Sequence, residues 1–261
     1  MVLPSSEKKK QIDRASQLIR NAAYCVAITG AGISTPSGIP DFRSPGSGIW
    51  TRYSPMEVAS LSAFRYNPDR FFNWLRPFVK KLFLADPNPA HISLANLEEH
   101  NFLKSIITQN IDALHQKAGS KVVIEVHGTY QTLTCLGCYQ RVKASTELLN
   151  SFLENSSTPS CSNCGNLLKP DIILYEEQIP VEQWSRAKEE ILNCDLLLIL
   201  GSSLTVTPVC DLPYAALSSG AKLIIINHTC THFDEMAAVS IQGDLADIMP
   251  LIKDKVINEK E

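Results

Sequence analysis

Four of the eight cysteines stand in two Cys-x-x-Cys pairs, Cys135 with Cys138 and Cys161 with Cys164. Four thiolates in this arrangement are typical of a tetrahedral zinc site, and glycines beside the pairs allow the tight turns that such a site needs. The sequence supplies no open coordination position and no adjacent general base, so we expect a structural zinc ion. The other four cysteines lie in apolar segments, where we expect buried thiols rather than disulfides.

A stretch rich in glycine, serine and proline covers residues 30–48 and follows an apolar run at 24–29. It fits neither a helix nor a strand, and a long loop after a core strand is often functional. Gly30 and Gly32 allow backbone N–H groups to approach a phosphate closely. The stretch departs from the dinucleotide fingerprint of dehydrogenases, because Thr35 replaces its third glycine. It therefore predicts a nucleotide ligand without identifying the reaction.

Polar groups also follow two predicted strands. Residues 109–112 (Gln-Asn-Ile-Asp) come after an apolar run at 105–108, and His127 comes after another at 122–126. In open α/β sheets, ligands bind at the carboxyl ends of the strands, which makes these groups candidates for a site. Among the six histidines only His127 has this position. We expect the others at the surface or at helix ends, namely His91, His100, His115, His228 and His232.

The elements that position these groups alternate between helical and strand-like patterns along most of the chain. Such alternation is typical of an α/β protein with a Rossmann-like parallel sheet covered by helices on both faces. We expect helices over 7–22, 55–84, 92–100, 113–117, 181–193, 209–219 and 243–257, and strands over 24–29, 105–108, 122–126, 172–175, 195–200 and 222–226.

Two segments interrupt the alternation. Residues 46–89 form a helical insertion rich in aromatic side chains, and residues 131–169 contain the paired cysteines. We expect the helical insertion and the zinc-binding module to pack together as a smaller domain. The ranges 1–45, 90–130 and 170–261 then form the large, Rossmann-like nucleotide-binding domain.

Composition limits the classes of partner. The chain has 261 residues and a net charge of −3, which argues against direct binding of nucleic acid. Residues 1–10 are polar and charged, unlike a signal peptide, and no apolar run approaches the roughly 18–20 residues of a membrane-spanning helix. We expect a cytoplasmic protein, monomeric, that does not bind membranes.

The motifs occur in a distinctive order along the chain. Gly-Ala-Gly-Ile-Ser at 30–34 and Gly-Ile-Pro-Asp-Phe-Arg at 38–43 precede Gln-Asn-Ile-Asp at 109–112 and His-Gly at 127–128. The two cysteine pairs, Gly-Ser-Ser-Leu at 201–204 and Asn227 follow. From about residue 10 to 255, the chain resembles the sirtuin family of NAD-dependent protein lysine deacylases. The resemblance implies that NAD is a consumed co-substrate, that the acyl group passes to ADP-ribose with release of nicotinamide, and that the zinc is structural.

The resemblance also implies a role for each matching residue. His127 is the expected general base, and Asn110 and Gln109 are expected to take part in catalysis. Asn110 and Asp112 are expected to hold the nicotinamide beside Ile33, and Phe42 is expected to cover the reactive face of the ribose. Arg43 and Gln109 are expected to orient ribose and phosphates. Asn227 is expected to bind the adenosine ribose, and the backbone at Leu245 to meet the adenine. The expected NAD contacts are Gly30, Ala31, Gly32, Ile33, Ser34, Asp41, Phe42, Arg43, Gln109, Asn110, Ile111, Asp112, Gly201, Ser202, Ser203, Asn227 and Leu245.

The implied substrate is an acyl-lysine peptide that pairs as a strand between two edges of the cleft. The matching edges are residues 174–177, which include Leu174 and Tyr175, and residues 204–206, where Val206 would press on the lysine stem. Glu176 replaces a common family glycine. It either tunes the peptide sequence towards basic flanks or simply points outwards, and we expect the second. Leu75 and Phe78 occupy the places where members that prefer succinyl groups carry tyrosine and arginine. This predicts acetyl or longer apolar acyl groups, because a negative acyl group would find no cation there.

Three other functions remain open at this point. A mono-ADP-ribosyltransferase would use the same activation of NAD, and a plain NAD glycohydrolase would need no acylated peptide. A non-enzymatic NAD sensor or zinc-stabilised interaction module would not need His127, yet the histidine is present with all of its expected neighbours.

Overall fold

A computed structural model describes residues 6–44, 46, 48–155 and 158–258. Residues 45 and 47 of the predicted loop, and the outer ends of the predicted domain ranges, lie outside the described residues. The strands are β1 (Cys25–Thr29), β2 (Ser105–Thr108), β3 (Val123–Glu125), β4 (Gly128–Cys135), β5 (Arg141–Lys143), β6 (Leu168–Ile172), β7 (Leu196–Leu200), β8 (Lys222–Asn227) and β9 (Val239–Gln242).

The helices surround these strands. They are α1 (Ser6–Asn21), α2 (Pro55–Val58), α3 (Leu61–Tyr66), α4 (Pro68–Leu84), α5 (Pro89–Glu99), α6 (Leu114–Ala118), α7 (Thr146–Asn155), α8 (Val181–Asn193), α9 (Leu212–Ser218) and α10 (Leu245–Asn258). The amphipathic α1 is representative, since it buries Ile12, Ala15 and Ile19 at helical spacing and exposes Lys9 and Lys10. Asn67 and Asn88 cap the amino ends of α4 and α5, each followed by a proline at the first helical position.

The large sheet is parallel throughout, in the order β3-β2-β1-β7-β8-β9. Strands β1, β2 and β7 are buried along their whole length, because an apolar cluster lies on each face of the sheet. The predicted Rossmann-like α/β class is therefore confirmed. The sequence does not predict strand β9, since its four residues are too short and too mixed in polarity to stand out.

The small sheet is antiparallel, in the order β5-β4-β6, and carries the cysteine pairs at one end. The predicted strand at 172–175 is wrong. The strand lies earlier, at Leu168–Ile172, and pairs with β4, while Tyr175 makes only an isolated bridge to Ser60. The apolar run continues past Ile172, but its backbone turns away because residues 173–177 bond to the helical insertion and to β6.

A third apolar cluster joins the helical insertion to the zinc module. Phe64, Phe71 and Phe72 of the insertion pack edge-to-face, and Phe152 of α7 packs on Phe72 with ring centroids 5.7 Å apart. This shared core supports the predicted division into a large and a small domain, which stays a prediction. Among the described residues, no helix is both long and apolar enough to cross a bilayer.

Candidate active site

The site lies where the chain leaves β1 and β7, two neighbouring strands whose connections run to opposite sides of the sheet. Such a switch point opens a crevice at the carboxyl ends of the strands. The Gly30 N–H donates to Leu200 O, and the Gly32 N–H donates to Gly201 O at 2.8 Å. A Cβ on Gly32 would lie 2.8 Å from Gly201 Cα, so these glycines let the two loops touch each other. Close approach of this backbone to a phosphate stays a prediction.

A buried polar network fills the floor of the crevice. Asn110 Nδ2 donates to Gly30 O at 3.0 Å and to Ser34 Oγ at 3.1 Å, and Ser34 Oγ donates to Asp112 Oδ2 at 2.6 Å. Burial raises the pKa of Asp112, while hydrogen bonds from Ser34 and the Leu114 N–H oppose that rise. The structure thus brings together the groups that sequence reasoning assigned to nicotinamide.

Two residues that sequence reasoning missed support this network from behind. Asn88 Nδ2 donates to Ile33 O at 2.7 Å, and the Asn88 N–H donates to His91 Nδ1. Because that nitrogen accepts, the neutral ring carries its proton on Nε2, which donates to Ser34 Oγ at 3.4 Å. Burial lowers the pKa of His91 to about 4. The Asn-Pro-x-His pattern at the start of α5 is a helix-capping sequence, the one local feature that could have located this support.

His91 and His115 correct the expectation for the other histidines. Both lie near helix ends, as expected, but they are only 0% and 1% exposed, and their ring centroids are 4.9 Å apart. Burial lowers the pKa of His115 well below its usual value, and the neighbouring His91 adds to this effect. The sequence could not reveal their burial, because it depends on the packing of α5 against α6.

His127 lies at the end of β3 with its ring tied to the neighbouring strand end. Its Nδ1 lies 3.1 Å from Gln109 O, and since a carbonyl only accepts, Nδ1 carries the proton and Nε2 is left as a proton acceptor. Burial lowers the pKa of His127, the hydrogen bond to Gln109 opposes this, and the charge of Arg43 lowers it further. Gln109 Nε2 also donates to Ser202 Oγ at 2.8 Å, and Asn227 Nδ2 donates to Ser202 O.

Aromatic rings form one wall of the site. Phe42 stacks on Trp50 with ring centroids 5.2 Å apart and lies 5.9 Å from Phe78. Trp50 in turn stacks on Trp74. Both tryptophans lie within residues 46–89, the predicted helical insertion, and sequence reasoning gave neither a role in binding NAD.

The loop beside that wall holds Asp41 and Arg43. The Asp41 carboxylate accepts from the backbone N–H groups of Arg43 and Ser44 at 2.9 and 2.7 Å, which is an internal turn contact. Arg43 Nη2 donates to the Tyr175 hydroxyl at 3.4 Å. The predicted contact of Asp41 with NAD stays a prediction, and its observed role is to shape the loop that carries Phe42.

The predicted substrate edge at 174–177 is held from both sides. The Tyr175 N–H donates to Ala59 O and the Leu61 N–H donates to Tyr175 O. Glu177 Oε2 accepts from the Leu174 N–H at 2.8 Å and from Lys169 Nζ at 2.9 Å. The backbone groups of Leu174 and Tyr175 are therefore already paired within the chain.

Glu176 sits between these ties in the left-handed region, with φ +73°. Its side chain points outwards, as expected, and its Oε2 accepts from the Ser62 N–H at 2.8 Å in the first turn of α3. That bond lowers the pKa of Glu176. The outward carboxylate thus holds the substrate edge to the helical insertion.

An apolar cavity of about 30 Å³ lies between the helical insertion and the zinc module. Leu75 and Ile111 line it together with Phe72, Val79 and Phe152, among other apolar side chains. This volume can hold a group larger than one water molecule. Phe78 does not line it and packs against Phe42 instead.

Arg76, the cation next to Leu75 in sequence, is directed elsewhere. Its Nε donates to Phe152 O and its Nη1 donates to Asn73 Oδ1, both at 2.8 Å. Its guanidinium lies over the Phe152 ring at 4.7 Å. None of the side chains that line the apolar cavity is charged.

The remaining predicted site residues have other observed contacts. Ser203 Oγ pairs with Thr205 Oγ1 at 3.0 Å, Val206 is half-buried, and Leu245 is buried in the core at the start of α10. Ala31 lies in a short 3₁₀ turn, and the Ile33 side chain is fully buried. Their contacts with NAD or peptide stay predictions.

The paired cysteines converge at one end of the small sheet. Their four Sγ atoms lie within 4.8 Å of one another, with Cys135 to Cys164 at 3.4 Å and Cys138 to Cys161 at 3.7 Å. A tetrahedral site with Zn–S bonds of about 2.3 Å has S···S edges of about 3.8 Å, so the cluster fits zinc. All eight cysteines are free thiols. The expectation of burial holds for Cys25 and Cys194 but fails for Cys210, which is half-buried, and Cys230, which is exposed.

Comparisons with known proteins agree with the family resemblance of the sequence motifs. Residues 30–208 match the model of the Sir2 family. The NAD-dependent protein deacylase 2 of Archaeoglobus fulgidus is 41% identical over 247 residues, which cover 94% of this chain and 96% of the relative.

Two solved structures superimpose on nearly the whole chain. A substituted Sir2 protein with a deacetylated p53 peptide and 3′-O-acetyl-ADP-ribose has a TM-score of 0.88 at 35% identity, covering 94% of this chain and 98% of that one. A Sir2 protein bound to a myristoylated histone peptide has a TM-score of 0.82 at 35% identity, covering 96% and 98%.

Proposed function

The chain belongs to the Sir2 family, and from this premise we propose how the crevice divides the work of the reaction among its residues. The protein is an NAD-dependent protein deacylase that transfers the acyl group of a lysine to ADP-ribose and releases nicotinamide. NAD is its co-substrate, acyl-lysine peptides are its partners, and the cluster of four cysteines is its structural zinc site. The assignments of individual residues below are the proposal.

The crevice at the switch point suits an extended dinucleotide. The loop at 30–34 and the loop at 201–203 lie against each other there, and most of the N–H groups of the first loop already donate within the chain. We assign the pyrophosphate to this loop pair, with the hydroxyls of Ser202 and Ser203 as donors from the second loop. Asn227, at the end of β8, faces this loop pair through its bond to Ser202 O. We assign the nicotinamide end to Asn110 and Asp112, because their network is buried and anchored on the same side of the crevice as His127.

When bound, NAD supplies a ribose carbon that becomes electrophilic as nicotinamide leaves. His127 is placed to act as general base on a ribose hydroxyl, since its Nδ1 proton is held by Gln109 O and its Nε2 lone pair is free to accept. Burial keeps this ring neutral near pH 7 by lowering its pKa. Phe42, held by stacking on Trp50, shields the reacting face from water.

The acyl group belongs to the acetyl or longer apolar class. None of the described side chains lining the apolar cavity beside Leu75 and Ile111 is charged, and the Nε and Nη1 atoms of Arg76 are bonded to Phe152 O and Asn73. A succinyl carboxylate would be desolvated there without a partner. Turnover of matched acetyl-lysine and succinyl-lysine peptides tests this assignment, and faster turnover of the succinyl peptide would overturn it.

The observation that carries the proposal is the fixed tautomer of His127 at the edge of the anchored network. The test mixes protein, NAD and an acetyl-lysine peptide and follows nicotinamide and peptide mass together. We expect one nicotinamide per acetyl group removed. In His127→Ala, deacetylation should fall by about 10²–10⁴, while His100→Ala, an exposed histidine outside the site, should remain active.

A different stoichiometry would redirect the assignment. Nicotinamide release with the peptide still acetylated would indicate ADP-ribosyl transfer or NAD hydrolysis, and the role of His127 would then be wrong. Full activity of His127→Ala would have the same consequence for that residue.

We further propose a monomer that acts in the cytoplasm without binding nucleic acid. No disulfide joins any of the eight cysteines, all of which the structure describes, and the net charge is −3. Sedimentation of the purified protein alone and with duplex DNA checks the oligomeric state and the absence of nucleic-acid binding. Imaging of a tagged copy in cells checks the compartment.

A further inference from the structure

A second buried hydrogen-bond chain reaches the site beside His91. It consists of His115 on α6, Thr29 at the end of β1 and Thr108 at the end of β2. His115 Nε2 lies 2.9 Å from Thr29 Oγ1, and Thr29 Oγ1 donates to Thr108 Oγ1 at 2.8 Å. All three side chains are 2% exposed or less.

The chain ends on the backbone of Asn110. Thr108 Oγ1 accepts from the Asn110 N–H at 3.1 Å. The intervening residue, Gln109, donates its N–H to Thr29 O and accepts from His127 Nδ1. The turn that presents both Gln109 and Asn110 to the crevice is therefore tied to Thr29 twice, once through backbone and once through side chains.

The direction of the bonds determines the tautomer of His115. Thr29 gives its only hydroxyl proton to Thr108, so it must accept from His115, which places the imidazole proton on Nε2. The other ring nitrogen, Nδ1, is buried and has no hydrogen-bond partner among the residues that the structure describes. An unpaired lone pair there is consistent with this tautomer, whereas the alternative tautomer would bury an unpaired N–H.

We propose that His115, acting through Thr29 and Thr108, positions the backbone of Asn110 for nicotinamide binding. His115 and Thr29 are then positioning residues, because their bonds reach the site through Thr108 and the backbone of Gln109 and Asn110. The inference rests on the function proposed above, because it uses the role of Asn110. It explains why a histidine with one unpaired nitrogen occupies a core position that an apolar residue could fill.

Paired substitutions separate positioning from packing. Thr29→Val removes the hydroxyl at nearly constant volume, and Thr29→Ser retains it. His115→Asn places an amide near the Nδ1 position, where there is no partner, whereas His115→Gln can place a donor near the Nε2 position. Ser16→Ala removes another buried hydroxyl, which donates to Ile12 O within helix α1, outside the site. This variant is the control for stability alone.

The readouts are the KM for NAD, the inhibition constant for nicotinamide, the KM for an acetyl-lysine peptide and the melting temperature. Thr29→Val and His115→Asn should raise the first two by about three- to tenfold, the effect of one buried hydrogen bond, and leave the peptide KM unchanged. Thr29→Ser and His115→Gln should restore both constants towards wild type. Ser16→Ala should lower the melting temperature only.

Two outcomes would overturn the inference. If Thr29→Val and His115→Asn melted earlier yet kept wild-type constants for NAD and nicotinamide, the chain would be a packing feature. Alternatively, nitrogen NMR of the wild-type protein could place the His115 proton on Nδ1. The NMR measurement decides even when the variants do not fold, because it needs no substitution.

Asn110→Ala distinguishes this failure from failure of the proposed function. If Asn110→Ala raises the nicotinamide constant and Thr29→Val does not, only the positioning chain is wrong. If wild type does not deacetylate the peptide, or Asn110→Ala leaves nicotinamide inhibition unchanged, the proposed role of the crevice is wrong.

Discussion

The small sheet and the polar edge of the large sheet are held together by different forces. The small sheet has a buried cluster of its own with four described residues, two of them the metal-binding Cys135 and Cys161, and it otherwise shares the cluster of the helical insertion through Ile172. The large sheet has an extensive apolar cluster on each face. Apolar burial is therefore enough to order the large sheet, whereas the small sheet needs its metal.

The comparison shows how disruption of each region would affect the reaction. The two regions are joined at His127, which directly precedes β4, and at residues 173–177, which directly follow β6. The polar edge is rigid because its bonds join distant segments, such as Ser34 to Asp112 and Gln109 to Ser202. Loss of the metal should thus disturb substrate handling before it disturbs the fold of the large sheet.

Removal of the zinc ion should have the largest effect. Cys135→Ser breaks the tetrahedral set, and since structural zinc contributes roughly 10–16 kcal/mol of apparent binding free energy, the small sheet should unfold and deacylation should be lost. Metal analysis and hydrogen exchange measure this. Exchange should rise in β4–β6 and stay low in β1, β2 and β7.

The matched control is Cys230→Ser, which alters an exposed free thiol. This variant should retain the zinc ion at the four clustered cysteines. If the zinc-free Cys135→Ser protein kept slow exchange in the small sheet, the contrast between the two regions would be wrong.

The ion pair between Lys169 and Glu177 should have an intermediate effect, because it links the small sheet to the substrate edge. Its side chains are 13% and 19% exposed, and the bond from the Leu174 N–H also ends on Glu177. Glu177→Gln should raise the peptide KM about tenfold, the value of one charged hydrogen bond, and leave the KM for NAD unchanged. Steady-state kinetics with each substrate varied measures both constants.

Glu176→Gln is the neighbouring control, since its exposed carboxylate accepts from the Ser62 N–H in the first turn of α3 and takes no part in the Lys169 ion pair. We expect less than about a threefold change in peptide KM. If the two substitutions raised the peptide KM equally, the ion pair with the small sheet would contribute no more to peptide binding than the bond to α3.

The pH profile should show the smallest effect and reports on the polar edge alone. His127 must be neutral to accept a proton, so a pKa lowered by burial shifts activity towards lower pH. The acid limb of kcat/KM should therefore lie below 6.5, the usual value for histidine. In Arg43→Gln this limb should move upwards, because the charge of Arg43 lowers the pKa of His127.

A limb at or above 6.5 in the wild-type protein would contradict the buried, neutral base. Cys135→Ser cannot report this profile, because deacylation should be lost in that variant.

Much of the fold can be predicted because its features are local in sequence. Helix α1 follows from the spacing of Ile12, Ala15 and Ile19, and β7 follows from an unbroken apolar run. The apolar run at 172–175 led to a wrong strand prediction, because that prediction also used only the local pattern. Its pattern is that of a strand, yet its backbone donates to Ala59 O and accepts from the Leu61 N–H and from Lys169 Nζ.

The sequence by itself determined the alternating α/β order, the four zinc ligands and the position of His127 at a strand end. Each of these depends on residue type and spacing over a few positions, which local geometry translates directly into structure. Only the tertiary structure decided that His91 and His115 are buried, that Arg76 bonds to Phe152 O and Asn73, and that Thr29 reaches Thr108. Those outcomes depend on which surfaces meet when distant helices and strands pack, and burial then determines which polar groups must find a partner.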